Sequence, residues 1–153
     1  MRLAEFLRQE NILTDLKSRK KEELLEEMVT EVSERAAGLD KKTVLKALLE
    51  REKLGTTGIG HGVAIPHGKI KGLNEIMVFF GRSVKGVDFQ SMDSSPVHLF
   101  FLIITPENSA TAHLKVLACI SHLLKNQDFR VRLLRASTGP EIFRIISEAE
   151  RRA

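Results

Sequence analysis

Between Arg51 and Lys69 the chain reads Arg-Glu-Lys-Leu-Gly-Thr-Thr-Gly-Ile-Gly-His-Gly-Val-Ala-Ile-Pro-His-Gly-Lys, and this stretch holds the residues best suited to chemistry. Five of the ten glycines (Gly55, Gly58, Gly60, Gly62 and Gly68) and two histidines, His61 and His67, fall within it. Each glycine costs backbone entropy on ordering, so their density predicts a loop that turns repeatedly or lays its N–H groups against an anion. Pro66 fixes the backbone just before His67 and biases Ile65 towards an extended conformation. A neutral imidazole is nucleophilic near neutral pH and forms a phosphoramidate that passes its phosphoryl group on. Such transfer needs positioning and donors to the phosphoryl oxygens more than it needs a cofactor. His67 is thus the candidate phosphoryl acceptor. Gly62 and Gly68 are candidate backbone donors, with Thr56, Thr57 and Arg51 as side-chain donors. The competing reading makes His67 a histidine in a structural turn.

The other histidines are weighed the same way. His113 opens a helix, where dipole and free N–H groups favour an anion, though a histidine bonded to a helix terminus explains it as well. His122 lies nine positions on, half a revolution away, and is expected on the surface. His98 opens an apolar strand and reads as structural, and His61 only lines the site. A metal centre is not expected, because His61 and His67 lack the short spacing of zinc pairs and neither a second cysteine nor paired carboxylates accompany them. The glycines lack the Gly-Lys-Ser/Thr ending of a P-loop, and there is no Ser-centred nucleophile elbow.

The elements that must position this stretch follow from periodicity. A short helix and an extended piece at Ile12-Leu13 are expected over residues 1–17. Ser18 reads as the N-cap of a helix carrying Leu24, Leu25, Met28, Val29, Val32 and Ala36. Gly38 ends it. Asp40 caps the next helix, whose stripe Val44, Leu45, Leu48, Leu49 leads to Glu52. Residues 70–74 form a connection. Ile76 to Phe80 is a strand ended by Gly81, and 85–96 is turn-rich with at most a short strand. The apolar run Val97 to Thr105 is a central strand buried on both faces. A helix from Ser109 carries Leu114, Leu117, Ala118, Ser121 and Leu124 on one side. Asp128 caps a short helix through Leu134, and Gly139-Pro140 starts a last one with Ile142, Phe143, Ile145 and Ile146. Helices around two or three buried strands make an α/β layered domain.

At 153 residues, 42% hydrophobic and 29% charged, the chain is expected to fold as one domain over 1–153. The net charge of +4 is interspersed with acids, as in Lys20-Lys21-Glu22-Glu23, and no Trp or Tyr is present to stack on bases. No nucleic-acid partner is expected. The single Cys119 excludes an intrachain disulfide, suits a reducing compartment and sits in an apolar run where packing explains it. The charged N-terminus is no signal peptide and no apolar run is long enough to span a membrane, so a cytoplasmic protein without membrane insertion is expected.

The segment from Arg51 to Lys69, with its core Gly-Ile-Gly-x-Gly-x-Ala-Ile-Pro-His-Gly, resembles the active-site segment of the fructose/mannitol class of phosphotransferase-system IIA domains. Within that class it is most like the nitrogen-regulatory IIA proteins. Further likenesses follow in register: Val87-Asp88-Phe89, Pro96-Val97-His98-Leu99-Phe100-Phe101-Leu102, Pro106 and His113-Leu114. The resemblance runs from about Leu16 to Glu148. It implies a mixed β-sheet flanked by helices on both sides, in a single type-2 IIA domain. It implies that His67 accepts a phosphoryl group from the phosphohistidine of HPr or its nitrogen-branch counterpart, with His113 and Arg51 as further active-site residues. It implies no metal or organic cofactor, the phosphoryl group coming ultimately from phosphoenolpyruvate. A free-standing chain with no joined IIB or IIC domain leans the expectation towards a regulatory IIA. The alternatives are a sugar-transport subunit passing the group to a fructose/mannitol-type IIB, and a binding regulator of a kinase or ion transporter.

Overall fold

The computed structural model describes residues 2–36 and 38–152. Its elements in order are α1 (Leu3–Phe6), a 3₁₀ turn (Gln9–Asn11), β1 (Ile12–Leu13), α2 (Lys21–Arg35), α3 (Lys41–Lys53), β2 (Gly58–Gly60), β3 (Val63–Ala64), β4 (His67–Ile70), β5 (Met77–Val87), β6 (Val97–Pro106), α4 (Ala110–Leu124), α5 (Gln127–Arg135) and α6 (Gly139–Arg152). The sheet order is β1-β5-β6-β3-β2, with β4 also on β6. β6 is the trunk: antiparallel to β5 on one side, it takes β3 and then β4 in parallel on the other. The sheet is mixed and carries helices on both faces, as expected.

The alternation of β5 and β6 builds two cores. Val78, Phe80, Leu99, Phe101 and Ile103 face α4, α5 and α6. Phe79, Phe100, Leu102 and Ile104 face α2 and α3. Each side carries an edge-to-face aromatic pair, Phe80–Phe101 on one and Phe89–Phe100 on the other.

Several expectations are corrected. The glycine-rich stretch is not a plain loop: β6 supplies the backbone partners of β3 and β4, and β3 in turn pairs with β2, making three short strands. Gly81 does not end its strand, and β5 runs on to Val87. A Cβ at Gly81 would lie 2.7 Å from Leu16 and 2.9 Å from Met28, so this glycine makes room for Leu16 and for Met28 of α2. Ser18 is not the cap of α2. Residues 19–20 are held extended against Asp88, and the helix starts at Lys21. Asn126, not Asp128, caps α5, its side chain accepting from Phe129 N–H. Asp40 does cap α3 through Thr43 N–H. The inner face of α4 is His113, Val116, Ile120 and Leu123, whereas Leu114 is exposed.

Candidate active site

His67 is the first residue of β4, in register with Ile103 of β6. Pro66 is buried, its carbonyl accepts from Ile103 N–H at 2.9 Å, and Ile65 N–H donates to Thr57 O at 3.0 Å, so the backbone beneath the imidazole is tied on two sides. The ring is fixed by two contacts. Nδ1 lies 2.8 Å from Ile65 O, an atom that only accepts, so Nδ1 carries the proton. Nε2 lies 3.2 Å from Arg51 Nε, an atom that only donates, so Nε2 presents its lone pair. Both contacts select the same tautomer, with Nε2 as the nucleophilic nitrogen.

Arg51 reaches the ring because α3 ends there. Its Nη1 donates to Gly55 O at 2.9 Å in the loop that leaves the helix. From the other side comes His113, in the first turn of α4, with its ring centroid 5.2 Å from that of His67. His113 is 7% exposed and its Nδ1 has no partner. Burial lowers the His67 imidazole below its ordinary value; Ile65's hydrogen bond opposes this, Arg51's charge adds to it and Glu52's charge opposes it. Burial, with His67 and Lys69 nearby, pushes His113 down to about 4. Both rings are therefore neutral at pH 7.

The other expected donors lie elsewhere. Thr56's hydroxyl accepts from Lys21 Nζ at 3.1 Å and Gly58 N–H at 3.1 Å and donates to Phe89 O at 3.3 Å, so it braces the loop and has no donor left for a phosphate. Thr57 is buried and gives its N–H and hydroxyl to the Glu52 carboxylate. Gly62 has φ +76 in the β2–β3 turn, and its carbonyl accepts from His98 and Leu99 N–H. It precedes Val63, which pairs with Leu99, while His67 pairs with Ile103. Four register steps put Gly62 and His61 at least about 13 Å along the sheet from His67. Gly68 is a packing glycine, with a Cβ there meeting Ala47 of α3 at 3.3 Å. His98 donates from Nδ1 to Ser83 O at 2.9 Å, and His122 is exposed.

Sequence reasoning passed over Lys21 and Glu52. Lys21 Nζ lies 2.9 Å from Glu52 Oε1 and 4.6 Å from the centre of the Phe89 ring, beneath the loop that carries Gly55. The one signal available was a carboxylate in the last turn of α3, where the helix dipole disfavours it.

The arrangement is a neutral, oriented imidazole whose Nε2 lone pair is held only by an exchangeable Arg51 donor, a guanidinium with a further donor to spare and a second neutral imidazole. That is a nucleophile with the donors a transferring anion needs.

Comparison with known proteins agrees. The chain is 40% identical to the nitrogen regulatory protein of Bradyrhizobium diazoefficiens over 147 residues, covering 96% of this chain and 95% of that one. It is 36% identical over 151 residues to the PTS system fructose-specific EIIABC component of Bacillus subtilis, covering 99% of this chain but 24% of that longer protein. The crystal structure of nitrogen regulatory protein IIA-Ntr from Neisseria meningitidis superposes with a TM-score of 0.88 at 33% identity, over 94% of this chain and 98% of that one. Residues 5–149 match the family model "Phosphoenolpyruvate-dependent sugar phosphotransferase system, EIIA 2", so the chain belongs to that family and is a phosphotransferase component.

Proposed function

We propose that this protein is a regulatory phosphoryl carrier in which His67 Nε2 accepts the phosphoryl group of phospho-HPr or its nitrogen-branch counterpart. The observation that carries the reading is the pair of contacts on the imidazole, Nδ1 to Ile65 O and Nε2 to Arg51 Nε. In the transfer the Nε2 lone pair attacks phosphorus, an N–P bond forms on His67, and the donor's N–P bond breaks with its electron pair returning to the donor imidazole. Nδ1 keeps its proton throughout, and the bond to Ile65 O stabilises the positive charge that develops on the ring. Arg51 turns its donors from Nε2 to the phosphoryl oxygens, and His113 adds a neutral N–H donor. Thr56 braces the loop and Gly68 lets β4 pack against α3 at this centre, while Gly62 shapes the β2–β3 turn farther along the sheet.

Relatives of matching span that are named nitrogen regulatory proteins support regulation as the output. The fructose-specific relative supports a second reading, in which the group passes on to a fructose/mannitol-type IIB. Among the described residues no helix is long and apolar enough to cross a membrane, which suits a carrier working in the cytoplasm. Intact-mass analysis after incubation with phosphoenolpyruvate, enzyme I and HPr, or their nitrogen-branch versions, tests the reading. One acid-labile phosphoryl group is expected on the wild type and none on a folded His67→Ala variant. Full labelling of that variant would overturn it.

A further inference from the structure

We propose that Lys21 is a positioning residue of the His67 site: paired with Glu52, it stops that carboxylate from capturing Arg51 and so leaves the guanidinium turned to His67 Nε2. This role presupposes phosphoryl transfer to His67.

Glu52 and Arg51 are adjacent in the last turn of α3, and Glu52 is 9% exposed. A carboxylate so buried takes whatever cation can reach it, because leaving it unpaired is costly. Lys21, the first residue of α2, fills that place from the neighbouring helix. Its ammonium lies 2.9 Å from Glu52 Oε1, 3.1 Å from Thr56 Oγ and 4.6 Å from the Phe89 ring centre. The remaining acceptor capacity of Glu52 goes to Thr57 N–H at 3.0 Å and the Thr57 hydroxyl. The loop thus pinned contains Gly55, whose carbonyl holds Arg51 Nη1 at 2.9 Å.

Geometry and charge therefore act together. The pinned loop anchors one end of the guanidinium, and the neutralised carboxylate does not compete for the other. Arg51, Glu52 and His113 bear on His67, with Lys69 acting on His113. Glu52 is the one anion in that set, and unbalanced it would both favour the imidazolium and repel an incoming phosphoryl group.

The test compares wild type, Lys21→Met, Lys21→Arg and Lys21→Met/Glu52→Gln in single-turnover phosphorylation by phospho-HPr and in NMR titration of the His67 ring protons. Lys21→Gln, which keeps a donor towards Thr56, substitutes for Lys21→Met should the latter not fold. Lys21→Met is expected to slow transfer about tenfold and to move the His67 midpoint up by about one pH unit. Adding Glu52→Gln removes the stray charge and restores most of the rate and the midpoint, a recovery that loss of folding cannot produce. Lys21→Arg keeps both near wild type. A wild-type rate and midpoint in Lys21→Met overturn the role, and so does a double variant as slow as the single one. Absence of His67 labelling in the wild type would instead overturn the carrier reading, and the titrations alone would then decide whether Lys21 shields the imidazole from Glu52.

Discussion

Arg82 is buried and Arg51 half-buried, and among the described residues neither has a carboxylate within ion-pair distance. They use their donors in opposite ways. Arg82 is 6% exposed; its Nε donates to Thr14 O at 3.2 Å, and its Nη1 to Leu133 O at 3.0 Å and to Ala136 O. Leu133 and Ala136 lie at the end of α5 while Thr14 follows β1, so the cation sits at the negative pole of a helix and joins it to the sheet. Arg51 gives one donor to a carbonyl and the next to an imidazole lone pair. Backbone carbonyls are fixed, whereas a lone pair can be exchanged for a phosphoryl oxygen. The same side chain is therefore mortar in one place and, in the proposed carrier, an anion receptor in the other.

The sharpest way to break this contrast is Arg82→Met. It strands the Thr14, Leu133 and Ala136 carbonyls and is expected to cost about 4 kcal/mol in urea denaturation, each orphaned acceptor contributing about 1–3. The folded fraction should still label on His67 at the wild-type rate. Arg51→Ala should do the reverse. Its stability stays within about 1 kcal/mol of wild type while phosphorylation slows about 100-fold, close to 3 kcal/mol of barrier.

The histidines extend the comparison through pH. His113 has a folded pKa of about 4 against an ordinary value of 6.5, so below 6.5 the unfolded chain binds the extra proton. The stabilisation is complete above pH 6.5 and is lost as pH falls towards 4. It amounts to about 2–3 kcal/mol. Denaturation of wild type and His113→Asn at pH 7 and pH 4.5 checks this, the variant losing that share of the pH dependence. The smallest effect is expected at His98, whose Nδ1 is committed to Ser83 O. His98→Gln should cost about 1 kcal/mol and leave His67 labelling unchanged.

What the sequence made legible tracks how local each cause is. β6 announced itself as a continuous apolar run, and α3 by Asp40 and its stripe, because cap and stripe lie within the element. His67, Arg51 and His113 were singled out from residue type and likeness to a family, and the fold brings the three side chains together. Gly81 was misread as a stop because its reason is the side chains of Leu16 and Met28, far away in the chain. β3 and β4 of the glycine-rich stretch were missed because their partners come from β6. The Lys21–Glu52 pair spans 31 positions and exists only once α2 and α3 pack together. Thr56 was assigned to the anion for the same reason: besides Gly58, its hydroxyl is held by Lys21 and Phe89, neither of them near it in sequence.

β4 pairs with β6 along one side and with no other strand among the described residues. A bare strand rim is a template on which a second chain can add itself, the first step of edge-to-edge aggregation. Here the rim is only four residues long, and Lys69 stands exposed upon it. Short length and a lysine charge are the devices that discourage such addition. The strand bearing His67, the proposed acceptor, thus keeps an edge that a donor protein could approach without becoming a place where copies of the chain polymerise.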